Sequence, residues 1–172
     1  VNVLAVDPGL NRSGVATFRD GVLIRAGAPS FSGIDKAPLP ARIAAMGLRI
    51  ALSAPRGIYT LAMEWPQVYA VGKSKGDPND LLPLAGICAD VAARLNAPVV
   101  VMYSPREWAG NTKKSETVKG AKTSMRAKRI ESRLTGPELE VWAGVKYHDT
   151  VDAIGIGLKA LGRFERRRAF QV

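Results

Sequence analysis

One cysteine and one histidine in 172 residues leave no basis for a disulfide framework or a cysteine-rich zinc site. Cys88 lies in an apolar helical pattern and reads as a small core residue. The chain has no apolar run of membrane-spanning length, no secretory leader and no lipidation motif, so we expect a soluble, cytoplasmic protein with no membrane partner. Acids are also scarce, 15 against 25 lysines and arginines, for a net charge of +10. The imbalance is uneven. Residues 1–102 hold ten bases and seven acids, whereas residues 103–172 hold fifteen and eight. An even spread would suit a solvated surface; this asymmetry favours a binding face for a polyanion.

The length suits one compact core, and we expect a single domain over 1–172. Val1 to Val6 is a short apolar run ending at Asp-Pro-Gly, followed by strand-like runs at Gly14–Phe18 and Val22–Ala26. Asp20-Gly21 between the last two is a hairpin signal. A Pro-, Gly- and Ser-rich loop over 28–40 precedes a helix over 41–54, with Ile43, Met46 and Ile50 at helical spacing. Residues 57–63 form the next strand and 65–78 a long loop. A helix capped by Asn79 or Asp80 runs to about Leu95. Residues 98–103 are β-branched and predict a buried strand, 104–121 a loop, 122–134 a basic helix, and 149–161 a last helix. The order βββαβαβαα predicts an α/β fold: a mixed five-stranded sheet flanked by helices.

Against that scarcity, the placement of four acids is informative. Asp7 follows the first strand, where Pro8-Gly9 forces a turn, and Asp-Pro-Gly is equally an Asx-turn sequence. Glu64 holds the same strand-end position after Met63. Asp149 and Asp152 open the last helix, with Asp149 as N-cap and Asp152 as its third residue, a capping-box variant. A spacing of three also puts both on one face of the first turn, where they can act on a single ion. Carboxylates gathered at one spot repel each other, and a divalent cation offsets that repulsion. His148, beside the pair, reads as structural or supporting.

Val6-Asp7-Pro8-Gly9 with Arg12-x-Gly14-Val15, then Met63-Glu64, then Asp149-x-x-Asp152-Ala153-Ile154, together resemble the RuvC Holliday junction resolvases. The likeness spans nearly the whole chain in order, and Tyr103-Ser104-Pro105 and Lys122 also match. It implies an RNase H-like fold, a homodimer, and Asp7, Glu64, Asp149 and Asp152 holding two Mg²⁺ ions, with Mn²⁺ able to substitute, that hydrolyse DNA phosphodiesters. Asp7, from the central strand, would bridge the ions, and Lys122 would neutralise the phosphate in the transition state. The loop at 65–69 looks longer than its counterpart, and 111–121 inserts extra basic residues. These departures resemble a phage-type or divergent member.

DNA contact is expected from Trp65 and Tyr69 in the loop after Glu64, where an aromatic ring can stack on unpaired bases. Lys73 and Lys75 lie in the same loop. Lys113, Lys114, Lys119, Lys122 and Arg126 belong to the segment 113–133, which has eight bases against two acids. Such a cluster neutralises phosphates and makes binding salt-sensitive. Trp108 and Trp142 are assigned to core or dimer packing. The expected partner is branched DNA, four-way junctions above all. Rival readings are an RNase H-fold nuclease acting on forks, flaps or RNA, an actin-like sugar kinase or ATPase, and a catalytically silent DNA-binding module. The second would need a duplicated fold and another glycine-rich phosphate loop, and the third sits badly with four acids in place.

Overall fold

The computed structural model describes residues 1–30, 36–54, 57, 60–66, 78–110, 122 and 124–165, with backbone alone at 78–80. Strands β1 (Val3–Asp7), β2 (Gly14–Arg19) and β3 (Val22–Gly27) form an antiparallel meander. The β2–β3 hairpin turns at Asp20 and Gly21, both at positive φ (51° and 78°), the conformation that the Asp-Gly signal predicts. Helix α1 (Leu39–Ala51) leads to β4 (Thr60–Glu64), and α2 (Pro78–Leu95) leads to β5 (Val99–Tyr103). The described strands make one mixed sheet in the order β3-β2-β1-β4-β5, with β4 parallel to both β1 and β5. β1 is therefore central.

Strand alternation divides the core in two. Leu4, Val6, Leu61 and Met63 face one side, where Met46 and Ile50 of α1 and Ile87, Cys88 and Val91 of α2 cover them. Val3, Ala5, Ala16, Phe18 and Ala62 face the other, beneath α6 (His148–Ala160). Helix α6 lies close to the sheet because Gly157 has no side chain: a Cβ there would come within 2.1 Å of the Phe18 ring.

Several expectations need correction. The chain after β5 is not all loop, because α3 (Pro105–Ala109) starts there on a capping box formed by Ser104 and Glu107 with proline in the first turn. The basic helix is shorter than expected: α4 (Met125–Glu131) is capped by Ser124, so Lys122 precedes it. A further helix, α5 (Gly136–Ala143), was not foreseen. β5 is an edge strand with Val99, Val100 and Met102 between 37% and 49% exposed, since β-branching favours a strand without requiring burial. Helix α2 begins at Pro78, which suits a first helical position, so Asn79 and Asp80 lie inside the helix.

Candidate active site

The parallel register pairs Val6 with Met63, so the next residues, Asp7 and Glu64, end adjacent strands side by side. In open α/β sheets the carboxyl ends of such strands are where ligands bind. Cys88 of α2 reports both acids. Its buried thiol is pushed up to about 12, first by desolvation and then by the negative charges of Asp7 and Glu64.

Helix α6 brings the second pair of acids to this end. Gly14, the cross-strand partner of Asp7, has no side chain, and a Cβ built there would lie 1.7 Å from the Asp149 carbonyl oxygen. The start of α6 is thus seated on the strand that pairs with Asp7. Its N-cap is Tyr147 rather than Asp149, because Tyr147 is the last extended residue and His148 the first helical one. Asp149 instead lies in the first turn, where its charge complements the helix dipole, and accepts a bond from Arg12 Nε at 2.6 Å. The Arg12 guanidinium also stacks 4.4 Å from the centre of the Tyr147 ring. Asp152 is 3% exposed and accepts from Arg126 Nη1 at 3.1 and 3.2 Å. His148, half-buried, opens the helix beside Asp149.

All four acids therefore converge on one end of the sheet from three distant segments. Their donors are hard carboxylate oxygens, the chemistry that Mg²⁺ prefers. Among the described residues, no three acidic, histidine or cysteine side chains form one ion-sized cluster. Guanidinium groups hold two of the acids, so Arg12 and Arg126 supply positive charge where a divalent cation would supply it. In donor type and charge the site fits such a cation.

The other expected site residues are dispersed. Trp65 directly follows Glu64; its backbone N–H donates to the Tyr103 carbonyl at 2.9 Å and its side chain is 46% exposed. Lys122 donates to the Ala143 carbonyl at 2.8 Å and sits 5.4 Å from the Trp142 ring centre, at the end of α5. Arg126 points inward to Asp152, with its side chain 12% exposed. Tyr69, Lys73, Lys75, Lys113, Lys114 and Lys119 lie outside the described residues. Trp108, assigned to packing, is indeed buried, but its Nε1–H also donates to Glu64 Oε2 at 2.7 Å. No pattern around residue 108 announces that contact.

No family model and no curated protein matches the chain. Solved structures do. Thermus thermophilus RuvC in complex with a Holliday junction substrate matches with a TM-score of 0.61 at 16% identity, over 95% of this chain and 97% of that one. A second Thermus thermophilus RuvC structure matches at 0.56 and 16%, over 95% and 98%. The fold is RuvC-like. The mixed five-stranded sheet with its flanking helices matches the order of predicted elements, and its architecture is RNase H-like, as the resemblance to the RuvC resolvases implies. Among the described residues, no helix is long and apolar enough to cross a membrane.

Proposed function

We propose that this protein is a Mg²⁺-dependent endonuclease that resolves four-way DNA junctions by phosphodiester hydrolysis, acting as a homodimer. The observation that carries this reading is the convergence of Asp7, Glu64, Asp149 and Asp152 on the carboxyl end of the central strands of a RuvC-like fold. One of the fold neighbours carries a Holliday junction substrate, and the net charge of +10 suits the same polyanion.

On this reading Asp7, Glu64, Asp149 and Asp152 would hold the cations. When bound, two such ions would activate the attacking water and stabilise the departing oxygen. Strand register sets Asp7 beside Glu64, and the close approach of α6 to Gly14 supports Asp149 and Asp152 as the other two ligands. Trp65 presents its exposed ring next to Glu64, where it can stack on a base freed at the crossover. Lys73, Lys75, Lys113, Lys114, Lys119 and Lys122 would carry the salt-sensitive part of binding. A two-fold dimer would present two such sites to the two symmetric strands of a junction.

The test is incubation of the protein with a synthetic four-way junction, a fork, a flap and a linear duplex, with Mg²⁺ or EDTA, and mapping of the ends. Paired symmetric cuts in the junction that require Mg²⁺ and disappear in Asp7→Asn are expected. Cleavage in EDTA, or an Asp7→Asn protein that cuts at the parent rate, would exclude the four-acid site. Cuts confined to forks or flaps would keep the chemistry and change the substrate.

A further inference from the structure

We infer that Trp108 is a positioning residue of the acidic site: its indole fixes the Glu64 carboxylate for metal and links it to the Arg126–Asp152 pair. The inference rests on the metal-dependent reading above and adds a residue to it.

Three contacts converge on this one ring. Its Nε1–H donates to Glu64 Oε2 at 2.7 Å. The Arg126 guanidinium lies 4.9 Å from the ring centre and bonds both Asp152 oxygens. On the α6 side, Gly155 has no Cβ, and one built there would lie 2.6 Å from Trp108 Cζ3, so α6 carries a glycine where the indole presses against it. One side chain therefore touches both Glu64 and the partner of Asp152, acids that come from β4 and α6.

The local sequence explains how the ring arrives there. β5 pairs Tyr103 with Glu64, Ser104 and Glu107 cap α3 immediately afterwards, and the short helix returns Trp108 to the end of β4. A donor aimed at one carboxylate oxygen restricts rotation of the group and fixes the direction in which it presents its charge. Tryptophan suits this role because the indole N–H donates without accepting, and it carries no charge to compete with a metal. Partners that orient metal-binding side chains in this way are worth roughly 10–100-fold in metal affinity.

The test compares Trp108→Phe, which keeps a packed ring and removes the N–H, with the parent and with Asp7→Asn. Mg²⁺ affinity is measured by calorimetry, and melting temperature and junction affinity are measured in EDTA. We expect Mg²⁺ binding in Trp108→Phe to weaken about 10-fold or more, with junction affinity in EDTA unchanged. A purely structural role would lower the melting temperature and leave Mg²⁺ affinity at the parent value, and that result overturns the inference. A second readout needs no change at Trp108. The three indole N–H signals of the parent are assigned by elimination with Trp65→Phe and Trp142→Phe, and the Trp108 signal should move on Mg²⁺ titration with the calorimetric midpoint. A Trp108 signal that stays fixed at saturating Mg²⁺ also overturns it. Loss of Mg²⁺ binding in Asp7→Asn alongside parent-like binding in Trp108→Phe would sink the positioning role and spare the site. A parent protein that takes up no Mg²⁺ would sink both.

Discussion

Gly14 and Asp149 meet backbone to side-chain gap: the hydrogen that glycine carries in place of Cβ faces the Asp149 carbonyl, where a methyl group would stand 1.7 Å from oxygen. Gly14 pairs with Asp7 across β1 and β2, so this contact sets how near α6 comes to the first acid. Gly14→Ala should push the start of α6 off the sheet. We expect a loss of roughly 1–3 kcal/mol of stability, the usual cost of overpacking, and a loss of junction cleavage beyond what the unfolded fraction explains. Urea denaturation alongside cleavage of the folded protein checks it, and parent-like values for both would refute the seating.

Arg126→Leu should destabilise the metal-free protein by roughly 3–5 kcal/mol, since it strands the buried Asp152 carboxylate without its guanidinium. Mg²⁺ should then raise the melting temperature of the variant more than that of the parent, because the ion restores positive charge at Asp152. Thermal melts in EDTA and in Mg²⁺ give the comparison. Equal Mg²⁺ shifts in the two proteins would separate Asp152 from metal binding.

Acid sensitivity should trace in part to Glu138, which is fully buried between α5 and β3. Burial alone would raise its pKa, but Arg163, the Thr135 and Leu23 backbone N–H groups and the Thr135 hydroxyl together hold it below the usual carboxylate range. A depressed folded-state pKa contributes stability above the unfolded value, about 4.3, and that contribution is lost as pH falls through the folded value. Glu138→Gln should therefore cost roughly 3–5 kcal/mol at pH 7, and its deficit should shrink below about pH 4. Denaturation midpoints of both proteins between pH 7 and pH 3 test this; a deficit independent of pH would be evidence against it.

Cys88 should resist alkylation in the native protein. With the thiol raised to about 12 and 1% exposed, almost none is thiolate at pH 8. Iodoacetamide labelling followed by mass spectrometry should report opening of α2 rather than the chemistry of an exposed thiol. Labelling at the rate of a free cysteine peptide would contradict the packing of α2 over β1 and β4.

The sheet was readable in the sequence because its signals are local. The apolar run Val3–Val6, the Asp20-Gly21 turn and the terminal positions of Asp7 and Glu64 need no knowledge of the rest of the chain. Helices α3 and α5 escape the sequence reading although Ser104-x-x-Glu107 and Thr135-x-x-Glu138 are helix-start sequences with proline in the first turn, because both helices are short and the neighbouring Gly and Pro suggest loop. Asp149 was misread as a cap because Asp is a favoured cap, whereas a long-range bond from Arg12 engages it here. Arg126 resembles any other basic residue until α4 packs against α6 and turns it toward Asp152. No local pattern announces the bond between Trp108 and Glu64, because it exists only once β5 has paired with β4.

The placement of α6 across β1 and β2 also has a consequence for biosynthesis. Val3, Ala5, Ala16 and Phe18 leave the ribosome more than a hundred residues before Val151, Ile154 and Leu158, which join them in one core. Until then β1 and β2 lack the helix that covers them on that face, and Asp7 and Glu64 stand without Asp149 and Asp152. The acidic end is therefore assembled late in translation, and a chain halted before α6 would carry an exposed apolar sheet, a ready target for chaperones.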